Sequence, residues 1–364
     1  MRYAIIMAGG SGVRLWPMSR KSRPKQLLPL FKQKSLLELA LERLEGLIPP
    51  ERQFVCAGLC HKQAVLGALP GFATACFLGE PAGRDTLNAA GFSSAIASLR
   101  DPQAVIGVFP ADHIIEPADQ FREIVSRGYA LAEQSPETLV TFGVQPAFAS
   151  TGYGYLQLGE TLAGGARRVE QFKEKPDGPM ADRYFAAGPE KYLWNSGMFV
   201  WRAATFLDCI RRYAPVNYEG LARVADHWER PDRDTVLAEE YLRLPKISVD
   251  YAVMEPASRD SSVRVAAVPM PLRWLDVGSW TTFALTLPAD AAGNAIAADT
   301  QIASASRGNL IVSSDPDHLI ALHGCEDLIV VHSPDATLVC RRDQAEAVKQ
   351  LQELVVKTFG EKYA

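Results

Sequence analysis

Glycines and cations are concentrated directly after the first apolar run of the chain. Residues 3–7, YAIIM, predict a buried strand, and Gly9, Gly10 and Gly12 follow it. The cations that come next are Arg14, Arg20, Lys21, Arg23 and Lys25. Glycine has no Cβ, so backbone N–H groups can approach an anion closely, and cations nearby stabilise a highly charged phosphate ester. The pattern predicts a nucleoside triphosphate site at the carboxyl end of the first strand.

This glycine loop matches neither of two well-known phosphate-binding motifs. A P-loop requires a lysine followed by serine or threonine, but Val13 and Arg14 follow Gly12 here. A dinucleotide-binding loop requires a third glycine where this chain has Leu15. If the glycines are considered alone, the alternative is a surface loop with a basic patch. The cations and prolines that follow the glycines in the sequence favour the anion site.

A carboxylate follows a later apolar run in the same way. Residues 104–109 predict a strand, and Asp112 comes just after it. The carboxyl ends of parallel strands form the edge where such sheets bind ligands, and a carboxylate suits Mg²⁺ when phosphates complete the coordination. Asp112 is therefore a candidate metal ligand, with capping of the following turn as the alternative, and His113 is expected to be structural.

Strands and helices alternate along most of the chain, which predicts an α/β sheet covered by helices on both faces. Ser35 and Glu38 form a predicted capping box at the start of a helix over residues 35–47. Further strands are predicted at 53–58, 74–78, 138–143, 168–172, 198–201 and 263–268, and further helices at 61–69, 87–99, 119–133 and 205–213. Charged residues 218–244 are predicted to form a helical flank or lid.

Short apolar runs replace this alternation after residue 292. They cover residues 310–312, 319–322, 328–331 and 336–340 and predict a small β-solenoid or sandwich. A final helix is predicted over residues 343–359, with Asp343 as N-cap and Glu346 reaching back to it. Its apolar stripe is predicted to pack on the solenoid or on a second subunit of a homodimer. The stripe consists of Ala347, Val348, Leu351, Leu354 and Val355.

Length, charge and cysteine content narrow the class of protein. The 364 residues are enough for one large domain and one small domain. A net charge of −4 argues against a nucleic-acid partner, and there is no apolar run long enough to span a membrane. The first residues enter a strand at once, without the layout of a signal peptide, which predicts a cytoplasmic location. Six cysteines in a chain of this length imply no disulfide framework.

Residues 9–26, GGSGVRLWPMSRKSRPKQ, resemble the signature loop of the sugar-1-phosphate nucleotidyltransferases. The continuation LWPMSR is most similar to the mannose-1-phosphate guanylyltransferases within that family. Further segments resemble motifs of the same family: EPAGRDT at 80–86, KEKP at 173–176, WNSGMF at 194–199 and DVGSW at 276–280. Asp85 stands where the family has asparagine, so it is predicted either to accept hydrogen bonds from guanine or simply to cap the next helix.

The resemblance implies a role for residues in each motif. The implied nucleotide-binding residues are Gly9, Gly10, Gly12, Arg14, Lys25, Arg84 and Asp85. Those implied to bind the sugar phosphate are Gly154, Glu174, Lys175 and Asn195. Asp112 and Asp276 would hold Mg²⁺, and the implied catalytic residues are Arg14, Lys25 and Asp112.

The resemblance also implies a fold and a reaction. Residues 1–285 would form a Rossmann-like α/β nucleotidyltransferase domain with a mixed, mostly parallel sheet, and residues 286–364 a left-handed β-helix-like domain that ends in a helix. The implied reaction transfers GMP from GTP to mannose 1-phosphate and releases pyrophosphate. The alternatives are the same chemistry on another sugar 1-phosphate or nucleotide, a non-catalytic nucleotide-sugar sensor, and a dinucleotide-dependent dehydrogenase, which the missing third glycine disfavours.

Overall fold

The computed structural model describes residues 1–10, 12–31 and 33–364. Its strands are β1 (Arg2–Met7), β2 (Gln53–Gly58), β3 (Phe77–Glu80), β4 (Val105–Pro110), β5 (His113–Glu116), β6 (Thr138–Val144), β7 (Tyr155–Thr161), β8 (Arg167–Lys173), β9 (Tyr192–Arg202), β10 (Arg264–Pro269), β11 (Arg273–Asp276), β12 (Ala295–Ala297), β13 (Gln301–Ser304), β14 (Leu310–Ser313), β15 (Ile320–His323), β16 (Leu328–Ser333) and β17 (Ala336–Arg341). Its helices are α1 (Leu36–Glu42), α2 (Lys62–Ala68), α3 (Thr86–Arg100), α4 (Ala118–Gln134), α5 (Gly178–Ala186), α6 (Ala203–Tyr213), α7 (Pro215–Asp226), α8 (Arg233–Arg243), α9 (Glu255–Ala257), α10 (Trp280–Ala284) and α11 (Val348–Phe359).

The central sheet combines parallel and antiparallel pairing. Among the described residues its strand order is β3-β2-β1-β4-β9-β6-β10-β8-β7. β1 pairs in parallel with both β2 and β4, so the carboxyl ends of these strands meet at one edge. β9 runs antiparallel between β4 and β6, and β10 then continues in parallel with β6. The prediction of a mixed α/β sheet is confirmed.

Successive residues of β1 enter different hydrophobic cores. Tyr3 and Ile5 belong to the core that contains residues of α3, α6 and α7. Ala4 and Ile6 belong to the core on the opposite face, which contains residues of α1 and α4. Because both faces of the strand are covered, its sequence is apolar at every position from Tyr3 to Met7 rather than at alternate ones.

The short antiparallel ladder between β5 and β11 joins two distant parts of the chain. Its register places Asp276 opposite His113, and the backbone N–H of Val277 donates to the carbonyl of Asp112 over 2.9 Å. Arg43, at the end of α1, donates to the carbonyl of His113 from the other side. The ladder therefore fixes the strand ends that carry the two predicted metal ligands.

The C-terminal residues form the predicted solenoid rather than a sandwich. β12, β14 and β16 stack in parallel, as do β13 and β15, while β17 folds back antiparallel on β16. Buried asparagines join successive turns: Asn294 Oδ1 accepts from the N–H of Asn309, and Asn309 Oδ1 accepts from the N–H of Leu328. These bonds satisfy backbone donors inside the turns and hold the coils in register.

Local signals at some element ends are confirmed and others are wrong. The capping box of α1 is present, because Ser35 Oγ accepts from the N–H of Glu38 and the Glu38 carboxylate accepts from the N–H of Ser35. The strand predicted at 74–78 instead begins at Phe77, after a 3₁₀ turn. The strand predicted at 198–201 extends back to Tyr192, because Gly197, with φ of 70°, lies beside a register shift that the strand accommodates.

The predicted N-cap of the last helix is also wrong. Residues Arg342–Ala347 form a 3₁₀ turn, and α11 begins only at Val348. The carboxylate of Asp343 pairs with Arg341 over 2.7 Å, and that of Glu346 pairs with Arg14 over 2.6 Å. Both carboxylates of the predicted cap are therefore held by ion pairs, Asp343 with a near neighbour and Glu346 with a residue of the signature loop.

Along the described residues, no helix combines the length and the apolar character that a membrane crossing requires.

Candidate active site

One cavity of about 560 Å³ opens at the carboxyl edge of β1 and β4. Three groups of predicted or newly observed polar residues line it. The first lies around Gly9 and Glu80, the second contains Asp112 and Asp276, and the third lies around Glu174. The fold thus brings residues from distant motifs to a single space.

The glycine loop is held in place at both ends. Gln26 Nε2 donates to the carbonyl of Gly9 over 2.6 Å, and Ser19 Oγ donates to the carbonyl of Gly12 over 2.7 Å. Gly12 has a φ of 60°, and a Cβ there would lie 2.6 Å from Lys25 Cβ, so no other residue fits. Gly9 and Gly10 line the cavity, while Ser11 lies outside the described residues.

Arg14 and Lys25, the two cations of the signature loop that are predicted to bind the triphosphate, do not line the cavity in this structure. Lys25 is buried, and its ammonium pairs with Asp112 Oδ2 over 2.7 Å and donates to the carbonyl of Val277 over 3.0 Å. Arg14 pairs with Glu346 and lies against Gly278, where an added Cβ would be 3.3 Å from its Nη2. Arg14 and Lys25 therefore flank the turn that follows Asp276 rather than projecting into the open space.

The two aspartates form a compact acidic pair. Asp112, His113 and Asp276 each offer a ligand atom within 4.8 Å of the others. Burial raises the pKa of Asp112, but Lys25 and His113 outweigh it and leave that pKa below its ordinary value. Burial and the charge of Asp112 raise the pKa of Asp276, whose carboxylate has no ion pair or hydrogen bond to the described residues. An uncompensated carboxylate beside a charged one fits a divalent cation.

His113 lies in this cluster but is arranged as a donor rather than a ligand. Its Nδ1 is 3.2 Å from Trp274 Nε1, and an indole nitrogen can only donate. Nδ1 is therefore the acceptor, so Nε2 of the neutral ring carries the proton and faces Asp112 Oδ1 at 3.9 Å. Burial lowers the pKa of His113 and keeps the ring neutral. The oxygen donors of the aspartates are thus the set that suits a hard cation.

A buried glutamate that the sequence analysis did not single out lies beside the glycine loop. Glu80, at the end of β3, accepts from the hydroxyl of Tyr241 over 2.6 Å through Oε1. A Cβ on Gly9 would lie 4.0 Å from the other oxygen, Oε2. Burial raises the pKa of Glu80. Its place at the carboxyl end of a parallel strand, the argument applied to Asp112, was the signal that would have found it.

Arg84 and Asp85 line the cavity but have partners of their own. The Arg84 guanidinium donates to the carbonyls of Tyr241 and Leu242. Asp85 Oδ1 accepts from the N–H of Thr86 over 2.8 Å at the start of α3. This contact agrees with the alternative prediction that Asp85 caps the helix. The other carboxylate oxygen, Oδ2, has no hydrogen bond to the described residues.

The third group joins the two residues that follow β8, one residue of β9 and the π-helical turn Asp250–Met254. Lys175 pairs with Glu174 over 3.1 Å, and Asn195 Nδ2 donates to Asp250 Oδ1 over 2.9 Å. A Cβ on Gly154 would lie 2.5 Å from Glu174 Oε2, so a larger residue there would displace the Glu174 carboxylate. Burial and the charge of Glu174 raise the pKa of Asp250 to about 7. Donors and acceptors alternate here as hydroxyl recognition requires.

Asp250, from the π-helical turn, also lines the cavity. Gly154, Glu174, Lys175 and Asn195 line the same wall as predicted. Lys246, which no motif pointed to, also lines the cavity near the start of α3. Its position follows from the bond between the N–H of Leu87 and the carbonyl of Ile247, which no local pattern predicts.

A glycine loop and paired carboxylates at the edge of an α/β sheet define a class of proteins that bind nucleotide phosphates together with a divalent cation. Comparison with known proteins narrows this class. The nucleotidyl transferase family model matches residues 3–291, and the model of the MannoseP isomerase/GMP-like beta-helix domain matches residues 293–355. The chain therefore belongs to the nucleotidyl transferase family of enzymes, and the resemblance drawn from the signature loop is confirmed. The boundary at 285/286 stays a prediction.

Individual relatives agree with this family. Xanthan biosynthesis protein XanB of Xanthomonas campestris pv. campestris is 36% identical over 95% of this chain and 72% of its own length. Mannose-1-phosphate guanylyltransferase RfbM of Salmonella typhimurium is 34% identical over 99% of this chain and 73% of its own length. The crystal structure of a protein described as mannose-1-phosphate geranyltransferase from Thermus thermophilus has a TM-score of 0.85 and 33% identity, and the match covers 97% of this chain and 99% of that one.

Proposed function

We propose that the enzyme transfers GMP from GTP to mannose 1-phosphate and releases pyrophosphate. The observation that carries this proposal is the shared cavity of the glycine loop, the aspartate pair and the group around Glu174. Such a cavity accepts a nucleotide and a sugar phosphate together. The names of relatives such as RfbM supply the choice of mannose and guanine.

Glu80 supplies the chemistry for guanine. Its Oε1 is occupied by Tyr241, and its Oε2 faces the side of Gly9. Guanine presents adjacent N1–H and N2–H donors, which an ionised carboxylate accepts strongly. Adenine presents an acceptor at N1, which would face the same carboxylate unfavourably. In this proposal Glu80 is the base-recognising residue, and Asp85 is chiefly the helix cap.

The reaction is an in-line displacement. A phosphate oxygen of mannose 1-phosphate attacks the α-phosphorus of GTP, and a new P–O bond forms to give GDP-mannose. The bond from the α-phosphorus to the bridging oxygen breaks, and pyrophosphate leaves with its electron pair. Both substrates bring their own reactive atoms, so the protein contributes orientation and charge compensation rather than a covalent nucleophile.

We assign the cation as Mg²⁺ and its ligands as Asp112 and Asp276. The hard oxygen donors support this choice, as does the Asp276 carboxylate, which has no ion pair among the described residues. When bound, Mg²⁺ would offset charge on the α-phosphate. Lys25 keeps Asp112 ionised through their ion pair, and Trp274 fixes the His113 ring so that its N–H points toward the same carboxylate.

The substrates are held by the groups on either side. Gly9, Gly10 and Gly12 leave room for backbone donors to approach the triphosphate, and Arg14 lies beside Gly278 in the turn that follows Asp276. Glu174, Asn195 and Asp250 accept or donate to sugar hydroxyls, and Lys175 offsets the charge of the sugar phosphate.

Pyrophosphate release tests the proposal. The enzyme is assayed with each of the four NTPs, with mannose 1-phosphate or glucose 1-phosphate, in the presence of Mg²⁺. We expect activity with GTP and mannose 1-phosphate that exceeds every other pair. Asp112→Ala should lower kcat by about a hundredfold or more while the affinity for mannose 1-phosphate, measured by calorimetry, changes little. Equal turnover of several NTPs would refute the assignment of guanine, and near-normal turnover of Asp112→Ala would refute the metal role.

A further inference from the structure

The C-terminal domain holds one of the signature-loop arginines on two sides. Arg20 Nη1 donates to the carbonyl of Tyr363 over 2.6 Å, and Arg20 Nη2 pairs with Asp335 Oδ1 over 2.6 Å. Asp335 lies in the turn between β16 and β17, and Ser333 Oγ lies 3.3 Å from the same guanidinium nitrogen. Only 14% of the Arg20 side chain is exposed. These partners fix the guanidinium on the solenoid side of the loop.

The C-terminal domain also contacts the loop residues on either side of Arg20. Trp16 Nε1 donates to the carbonyl of Tyr363 over 2.8 Å, so one carbonyl accepts from two loop residues. Leu15 and Trp16 share a buried core with solenoid residues such as Val331 and Leu338. Lys21 adds an ion pair with Glu361. The loop is thus packed on the C-terminal domain through Leu15, Trp16, Arg20 and Lys21.

A short path of bonds leads from Arg20 to the glycines. The backbone of Arg20 pairs with that of Arg23 in both directions, over 2.9 and 3.0 Å, and closes a tight turn. Ser19, the residue before Arg20, donates through Oγ to the carbonyl of Gly12 over 2.7 Å. A displacement of Arg20 would therefore loosen the contact that fixes the far end of the glycine loop.

We propose that Arg20 is a positioning residue and not a phosphate ligand: anchored by Asp335 and the Tyr363 carbonyl, it holds the glycine loop in the conformation that binds the triphosphate. The proposal rests on the proposed function, because it concerns the GTP half of that site. The anchoring of Arg20 would favour GTP binding through preorganisation, because a loop already held in its binding conformation loses less entropy when the ligand binds. The charge of Arg20 is neutralised by Asp335, and its side chain is absent from the cavity lining within the described part of the chain.

Hydrogen exchange tests the anchor without any substrate. Asp335→Ala removes the carboxylate from Arg20, and Asp335→Glu keeps the charge. Glu326→Ala is the matched control, because Glu326 is an exposed solenoid carboxylate whose partner, Arg307, does not touch the loop. We expect faster exchange of the amides of residues 9–20 in Asp335→Ala, partial recovery in Asp335→Glu, and no change in Glu326→Ala. Exchange equal to wild type in Asp335→Ala would overturn the proposal.

Kinetics separates positioning from general structural damage. Asp335→Ala should raise KM for GTP about fivefold, a modest effect because the pair is partly exposed, with KM for mannose 1-phosphate and the melting temperature near those of wild type. If Arg20 were instead a phosphate ligand, releasing it from Asp335 would leave KM for GTP unchanged or lower it, and this result would refute the proposal. Failure of the wild-type enzyme to use GTP would refute the proposed function alone, because the exchange result does not depend on turnover.

Discussion

Glu80→Gln is the sharpest perturbation of the proposed base site, because it changes chemistry without changing shape. Glutamine retains a carbonyl oxygen that can accept from the Tyr241 hydroxyl, which lies 2.6 Å from Glu80 Oε1. The other oxygen is replaced by an NH₂ group on the side of Gly9. That donor would face the N1–H and N2–H donors of guanine. The substitution therefore removes accepting capacity only where guanine is proposed to bind.

The size of the effect follows from the hydrogen bonds that are lost. A hydrogen bond to a charged group contributes about 1.5–3 kcal/mol, and here two would be lost. The lower bound of about 3 kcal/mol corresponds to roughly a hundredfold decrease in kcat/KM for GTP. Glu80 is buried and its pKa is raised by burial, so a neutral amide should not lower the free energy of unfolding. The kcat/KM for UTP should change little, because uracil offers a donor and an acceptor side by side.

The assay is pyrophosphate release with GTP and UTP, measured for wild type, Glu80→Gln and Tyr241→Phe. Tyr241→Phe is the control, because it removes a hydroxyl bonded to Glu80 but keeps the carboxylate; its GTP to UTP ratio should change by less than about tenfold. Since the raised pKa of Glu80 requires a higher pH for ionisation, kcat/KM for GTP in wild type should fall toward acid earlier than an ordinary carboxylate would dictate. A GTP to UTP ratio in Glu80→Gln within threefold of wild type, a threshold well below about a hundredfold, would refute the reasoning.

Two further predictions concern stability. Lys25→Met leaves Asp112 buried without its cation and should lower the free energy of unfolding, measured in urea, by about 3 kcal/mol, with partial recovery on adding Mg²⁺. Lys34→Met is the control, because its ion pair with Glu42 is exposed and its removal should change the free energy of unfolding far less. Equal losses in the two variants would contradict the prediction. The pKa of Asp250 is raised to about 7 by burial and by Glu174, so the folded state keeps a proton that the unfolded chain releases near pH 4, and stability falls as pH rises from about 4 to 7. Asp250→Asn should abolish this dependence of stability on pH and should be more stable than wild type at pH 8. If the urea midpoints of wild type and Asp250→Asn changed in parallel across pH 5–8, the prediction would be wrong.

Features that depend on near neighbours in the chain were accessible from the sequence. The glycine loop after β1 and the aspartate after β4 follow from apolar runs with polar residues at their ends. The capping box of Ser35 and Glu38 spans three positions, so both partners were visible at once. The signature loop also identified the family, because its residue types and spacing are specific.

Features that depend on which residues meet in space were not accessible. Asp112 and Asp276 come together only because β5 and β11 pair antiparallel, and Glu80 becomes a candidate for base recognition only because β3 ends beside the glycine loop. The wrongly predicted cap of the last helix has the same cause. Glu346 was expected to cap its own helix, and it pairs instead with Arg14.

The cations of the signature loop show which features the sequence determines and which depend on the tertiary structure. The sequence by itself determined that positive charge is concentrated there, and it predicted an anion site nearby. Only the tertiary structure decided that Lys25 pairs with Asp112, and that Arg14 and Arg20 pair with carboxylates of the C-terminal domain. The physical reason is that the strength of an ion pair depends on the distance between its charges and on their burial, and the chain sets neither until it has folded.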